Sequence, residues 1–143
     1  VIEMNLKKYY RHSWIVFFLF AVLLTPGTAK AQLPEKITTD IGQAFLNSDY
    51  NLLGNMLLST LELDIDRSKG KFSKSQAQMI LKDWFALNKP ASYELKQEGK
   101  TSSSFYIIGF LYCDTGSYRI YMLLNETAGE MNIHFLSISK HDL

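Results

Sequence analysis

Apolar and polar residues recur along this chain with two different periods, and each change of period marks an element. Ile37, Ile41, Ala44 and Phe45 fall at helical spacing behind Pro34, a residue suited to a first turn, which predicts a helix over 34–47. Ser48 or Asp49 is placed to cap a second, short helix carrying Leu52, Leu53, Met56 and Leu57. The stretch LELDID then alternates strictly: Leu61, Leu63 and Ile65 point one way, and Glu62, Asp64 and Asp66 the other. That is the pattern of a half-buried strand. The polar run RSKGK reads as the turn that closes it, with Phe72 opening a short return strand. In FSKSQAQMILKDWF the helical period comes back as a wide stripe of Ala77, Ile80, Leu81, Trp84 and Phe85. Ser73 with Gln76 forms a capping box, and Ser75 with Gln78 fits the same pattern. Ser73 is preferred because Phe72 and Ala77 then make the flanking hydrophobic staple. Asn88 is expected in the left-handed cap position ahead of Pro90.

From there the period is two. Strands are expected over 92–98, 104–114, 117–125 and 130–139, with Thr115-Gly116 and the segment 126–129 as hairpin turns. Helix, helix, strand, helix and a four-strand meander define an α+β domain with helices on one face of an antiparallel sheet.

The stretches FSKSQAQMILKDWF and IIGFLYCDTGSYRIYMLL resemble the nuclear transport factor 2-like (cystatin-like) cone, three helices packed on a curved antiparallel sheet. Over residues 32–143 the chain is similar to a family of small exported bacterial proteins of unknown function with that fold. Such a family has no activity to lend, so the resemblance implies architecture and assigns no site residue. It also implies dimerisation through the back of the sheet, as in many proteins of this fold.

The hairpin turns set a register. With Thr115-Gly116 as the turn, Tyr112 pairs with Arg119 and Leu111 with Ile120. With a four-residue loop at 126–129, Tyr121 lies beside His134 and Arg119 beside Leu136. One face then carries Ile107, Leu111, Ile120, Met122, Leu124, Met131, Ile133 and Phe135, and is assigned to the helices. Gly109 leaves room there for a bulky ring. A cavity on this side would be apolar, lined by Trp84, Phe85, Met122, Ile133 and Phe135, with Tyr118 and Cys113 at a polar end, and would take a small apolar ligand. The competing reading is a filled core. In this register no Asp, Glu or His points inward, so acid–base chemistry has no base there. The second face gathers Tyr106, Phe110, Tyr112, Arg119, Tyr121 and His134, with Leu123, Asn132 and Leu136. Aromatics with arginine are interface composition, and a homodimer through this face is expected.

The N-terminal segment changes the meaning of the charge. Eleven apolar residues, WIVFFLFAVLL, follow Lys7, Lys8 and Arg11 and precede Thr25-Pro26-Gly27 and Ala29-Lys30-Ala31. Eleven is too short to span a bilayer, and positive, apolar, small-x-small is the anatomy of a signal peptide. Residues 1–31 are read as that segment, with Met4 as the initiator and cleavage after Ala31, leaving no membrane span. The destination is the periplasm or the exterior. The full chain of 143 residues has a formal charge of +1, whereas residues 32–143 carry 11 basic and 13 acidic side chains. A slightly acidic domain without a basic stripe excludes nucleic acid as a partner. One cysteine, Cys113, excludes an internal disulfide and reads as a small buried hydrophobe.

Other chemistry is excluded by mismatch. DIDRSKGK starts like a calcium loop at Asp64, Asp66 and Ser68. It then has Lys69 where glycine is required and Ser75 in place of the bidentate glutamate, beside four cations at Arg67, Lys69, Lys71 and Lys74. His134 has no second ligand at zinc spacing. There is neither a glycine-rich phosphate loop nor a serine-nucleophile elbow. No metal, cofactor or catalytic residue is expected. The expected function is a non-catalytic exported binding or interaction module of the cell envelope, the alternative being a small pocket enzyme, isomerase- or dehydratase-like.

Overall fold

The computed structural model describes residues 32–142; the expected signal segment 1–31 lies outside them. Three helices, α1 (Glu35–Leu46), α2 (Tyr50–Met56) and α3 (Lys74–Leu87), accompany six strands. These are β1 (Leu57–Ile65), β2 (Ser68–Ser73), β3 (Pro90–Lys100), β4 (Phe105–Cys113), β5 (Gly116–Thr127) and β6 (Glu130–Lys140). They form one curved sheet in the order β2-β1-β6-β5-β4-β3. The expected antiparallel sheet is in fact mixed, because β1 lies parallel to β6 while every other pair is antiparallel.

Local chemistry sets the helix starts. Asp49 caps α2 by accepting from the Leu52 amide at 2.9 Å. Ser73 caps α3: its hydroxyl accepts from the Gln76 amide, and the Gln76 side chain accepts from the Ser73 amide at 3.0 Å. Two backbone donors that the helix leaves orphaned are thereby satisfied. At the other end of α3, Asn88 is extended (φ −127°) rather than left-handed. Its side chain does the capping instead, donating from Nδ2 to the Trp84 carbonyl at 2.9 Å. The supposed polar turn RSKGK is mostly strand: Ile65 pairs with Ser68, so only Asp66 and Arg67 turn the chain.

Two turns differ from expectation and shift the meander. Cys113 pairs with Gly116, so Asp114-Thr115 makes the β4–β5 turn, and Phe110, not Tyr112, faces Arg119. A shift of two residues keeps each side chain on its expected face. The β5–β6 connection is a two-residue turn at Ala128-Gly129, both with positive φ (52° and 79°), as a tight hairpin turn demands. Leu123 pairs with Phe135 and Leu124 with Ile133, which leaves His134 as an extra, bulged residue.

The bulge reverses the parity of β6 beyond it. Leu136, expected outside, is fully buried opposite Met122, while Phe135, expected inside, packs its ring edge-on against Tyr121 at 5.9 Å. The core lies between the helices and the inner face of the sheet. It holds Ile41, Phe45, Leu53, Leu81, Trp84, Phe85, Ile107, Leu111, Ile120, Met122, Leu124, Ile133 and Leu136. No helix among the described residues is long and apolar enough to cross a membrane.

Candidate functional site

The inner side of the sheet gathers most of the residues expected to line a cavity. Trp84, Phe85, Met122, Ile133 and Tyr118 are buried together in the core, and Cys113 packs against it half-buried. Phe135 is the exception, carried to the outer face by the His134 bulge. Burial, then the charge of Asp114, pushes the Cys113 thiol up to about 11, so it stays protonated and unreactive at neutral pH. Tyr118 closes the polar end: its hydroxyl donates to Asn88 Oδ1 at 2.8 Å and lies 3.1 Å from the Thr115 hydroxyl, which also bonds Asn88. The Trp84 ring meets Tyr118 edge-on at 5.0 Å. Asn88 thus ties the end of α3 to the β4–β5 turn.

A second polar group on this side was not expected. In β3, Leu95 pairs with Gly109 and Gln97 with Ile108, so Lys96 is bulged and the residues beyond it change face. Glu98 therefore pairs with inward-facing Ile107, which overturns the expectation that no carboxylate points inward. Its Oε2 is buried and has no hydrogen-bond partner among the described residues; the same holds for the hydroxyl of Tyr93. Tyr93 lies flat between backbones, stacked on Phe45 at 6.0 Å. It is the bulky ring that Gly109 admits, because a Cβ there would come within 2.7 Å of the Tyr93 hydroxyl. Burial, then the charge of Glu98, pushes the Tyr93 phenol up to about 12. Tyr93 and Leu95 form one wall of a groove of about 380 Å³, with Glu35, Thr38, Gly42 and Gln43 of α1 as the other.

The outer face of the sheet has a different character. Across β4, β5 and β6, rows run Tyr106–Leu123–Phe135, Ile108–Tyr121–Ser137 and Phe110–Arg119–Ser139. All the apolar members are half-buried. Arg119 sits 5.5 Å over the Tyr121 ring, Lys96 5.5 Å over Phe110, and His141 stacks on Phe110 at 4.5 Å. Tyr106 accepts from Gln97 at 2.8 Å, and Tyr112 donates to Glu94 at 3.4 Å. His134 stands apart at the end of the strands. With the Asn125 amide nitrogen turned toward Ser104, it donates to the Ser104 hydroxyl at 2.8 Å, and that hydroxyl donates to His134 Nε2 at 3.1 Å. Ser104 is buried. This serine–histidine pair secures the bulge; among the described residues no hydrogen bond holds the far side of the imidazole as a nucleophile's base requires. Among the described residues no three His, Cys, Asp or Glu side chains are gathered as metal ligands.

A cone of three helices on a curved six-stranded sheet is the nuclear transport factor 2-like architecture. The chain belongs to the DUF4783 family, a domain of unknown function, which it matches over residues 38–139. A DUF4783 protein from Bacteroides ovatus ATCC 8483 is 20% identical with a TM-score of 0.70, over 78% of this chain and 98% of that one. An NTF-2 like protein of unknown function from Burkholderia xenovorans LB400 is 13% identical (TM-score 0.56; 76% and 85% covered). A ketosteroid isomerase-like protein from Erwinia carotovora atroseptica SCRI1043 is 14% identical (TM-score 0.62; 76% and 94% covered). These likenesses fix the fold. A search of curated proteins found no match.

Proposed function

We propose that this protein is a non-catalytic interaction module of the cell envelope, exported by residues 1–31 and assembled as a two-fold dimer through the outer face of its sheet. The observation that carries the reading is the patch of Tyr106, Ile108, Phe110, Tyr121, Leu123 and Phe135 on the three central strands, with Arg119 and Lys96 laid over its rings. Among the described residues the helices pack with the core against the other side of the sheet. Aromatics and arginine around aliphatic residues compose the centre of protein interfaces. A second copy offers the same patch, so one surface serves both partners.

Sedimentation of residues 32–143 tests the assembly. A dimer at micromolar concentration that Tyr121→Glu converts to a monomer is expected; a monomer at high micromolar concentration, unchanged by Tyr121→Glu, refutes it. Export is tested by intact mass. A secreted species beginning at Gln32 is expected, and one retaining the apolar run counts against it.

One observation favours a second reading. An inward carboxylate beside a phenol is what a small pocket enzyme, isomerase- or dehydratase-like, would use as base and donor. That reading requires a turnover that Glu98→Gln abolishes.

A further inference from the structure

The free edge of the sheet carries a second surface, set apart from the proposed dimer patch, so the two stand or fall separately. β2 is the end strand of the order β2-β1-β6-β5-β4-β3, with β1 on one side and no strand of the described residues on the other. An end strand turns part of its backbone N–H and C=O groups outward, a template that another extended chain can complete. Lysine is a common guard on such edges, and this one has Lys69 and Lys71, both exposed, after exposed Arg67 in the turn. β2 itself has no acidic residue.

The side of β2 that is already paired shows what the strand accepts. Leu61 stands opposite Phe72, Glu62 opposite Lys71, Leu63 opposite Gly70 and Asp64 opposite Lys69. Lys69 reaches Asp64 at 3.0 Å, whereas Lys71 and Arg67 have no ion pair among the described residues. β1 thus meets β2 with alternating apolar and acidic residues, its leucines buried on the helix side and its carboxylates on the outer side. A strand laid on the free edge would run about 4.8 Å from β2, so its alternate side chains reach both faces of β2. On the outer face it meets Lys69 and Lys71 again, from the other side. On the helix face it meets Phe72 and an apolar groove of about 390 Å³ between that ring and Ser75, Gln76, Met79 and Ile80 of α3. Lys74 and Gln78 of α3 bond to Asn55 and Asn51 of α2, so the groove lies on the helix's other flank, toward the margin of the sheet. Met79 is 56% exposed there, and nothing lies within 4 Å of where a side chain at Gly70 would begin.

A second copy of β2 is a poor occupant, because antiparallel pairing of two such edges sets lysine beside lysine. A cationic edge backed by an apolar groove selects a strand with acidic residues on one face and apolar residues on the other. We propose that the free edge of β2 binds an extended segment of a partner protein in which apolar and acidic residues alternate, the acidic side chains meeting Lys69 and Lys71 and the apolar ones entering the groove between Phe72 and Met79.

The test adds the acetylated, amidated hexapeptide LELDID, the pattern β2 already pairs with, to ¹⁵N-labelled residues 32–143 at pH 7. Saturable shifts in the millimolar range are expected at the backbone amides of Lys69, Lys71 and Met79, with those of β6 unmoved. The peptide LQLNIN keeps the alternation without the charge, and LLIEDD keeps the composition without the alternation; each should bind about ten-fold more weakly. Lys71→Gln and Met79→Gln, both at exposed positions, should each weaken LELDID about two- to five-fold. Absence of saturable shifts at those three amides overturns the proposal. So does LLIEDD binding as well as LELDID, which is charge attraction without strand pairing, or undiminished binding by both variants. Shifts centred on Ile133–Ile138 also overturn it, because they mean that the peptide displaces β1 from β6 instead of adding to the edge.

Discussion

Tyr93 makes a sharp claim at the scale of one residue. Its phenol, ordinarily near 10, is pushed up to about 12. In the unfolded chain it ionises near its ordinary value; in the folded protein it does not. The stability this represents is complete below pH 10 and is lost as pH rises from 10 through 12. Full desolvation over that interval corresponds to roughly 1–3 kcal/mol after allowing for partial exposure. Urea unfolding between pH 9 and 12 should therefore show a steeper decline for the native sequence than for Tyr93→Phe. At pH 7, Tyr93→Phe should be neutral or stabilising by up to about 1 kcal/mol, because it deletes a buried hydroxyl that has no hydrogen-bond partner among the described residues. A loss of more than that at neutral pH would mean that the hydroxyl has a structural partner.

The elements show where a sequence speaks and where it is silent. The Ser73-Gln76 box, the Asp49 cap and the apolar stripe of α3 are legible because capping and helical periodicity are local. The strict alternation of LELDID is legible for the same reason, and Leu61, Leu63 and Ile65 are all buried. Bulges are not. An extra residue at Lys96 or His134 leaves no mark in a period-two pattern, yet each turns the rest of its strand over. That is why Phe135 lies outside and Leu136 inside, and why Glu98 points inward against the period-two pattern. The β4–β5 part of the outer face keeps its expected side because the turn at Asp114-Thr115 shifts that pairing by two residues. A deletion pair measures the bulge directly. Removing His134 leaves Ile133, Leu136 and Ile138 facing inward and should cost about 1–2 kcal/mol through the lost Ser104 hydrogen bond. Removing Ser137 turns Ile138 out of the core and should cost several kcal/mol. Equal losses in urea unfolding would show that the strand tolerates either register.

For the whole molecule, the parallel contact of β1 with β6 is the join between its two halves. β1 and β2 form a hairpin, and β3 through β6 form a meander; Leu57–Ile65 and Ile133–Ile138 then seal them into one sheet. The sequence announced both halves, but their join was hidden, since nothing local records a pairing between segments so distant along the chain. Its consequence belongs to time rather than to shape. The partners are separated by about two-thirds of the described chain, and contacts of that span form late and slowly. Leu57, Leu61 and Leu63 cannot be sheltered by β6 until residues 133–138 have been made. A nascent chain thus carries these leucines uncovered for the whole time that α3 and the first three strands of the meander are being made.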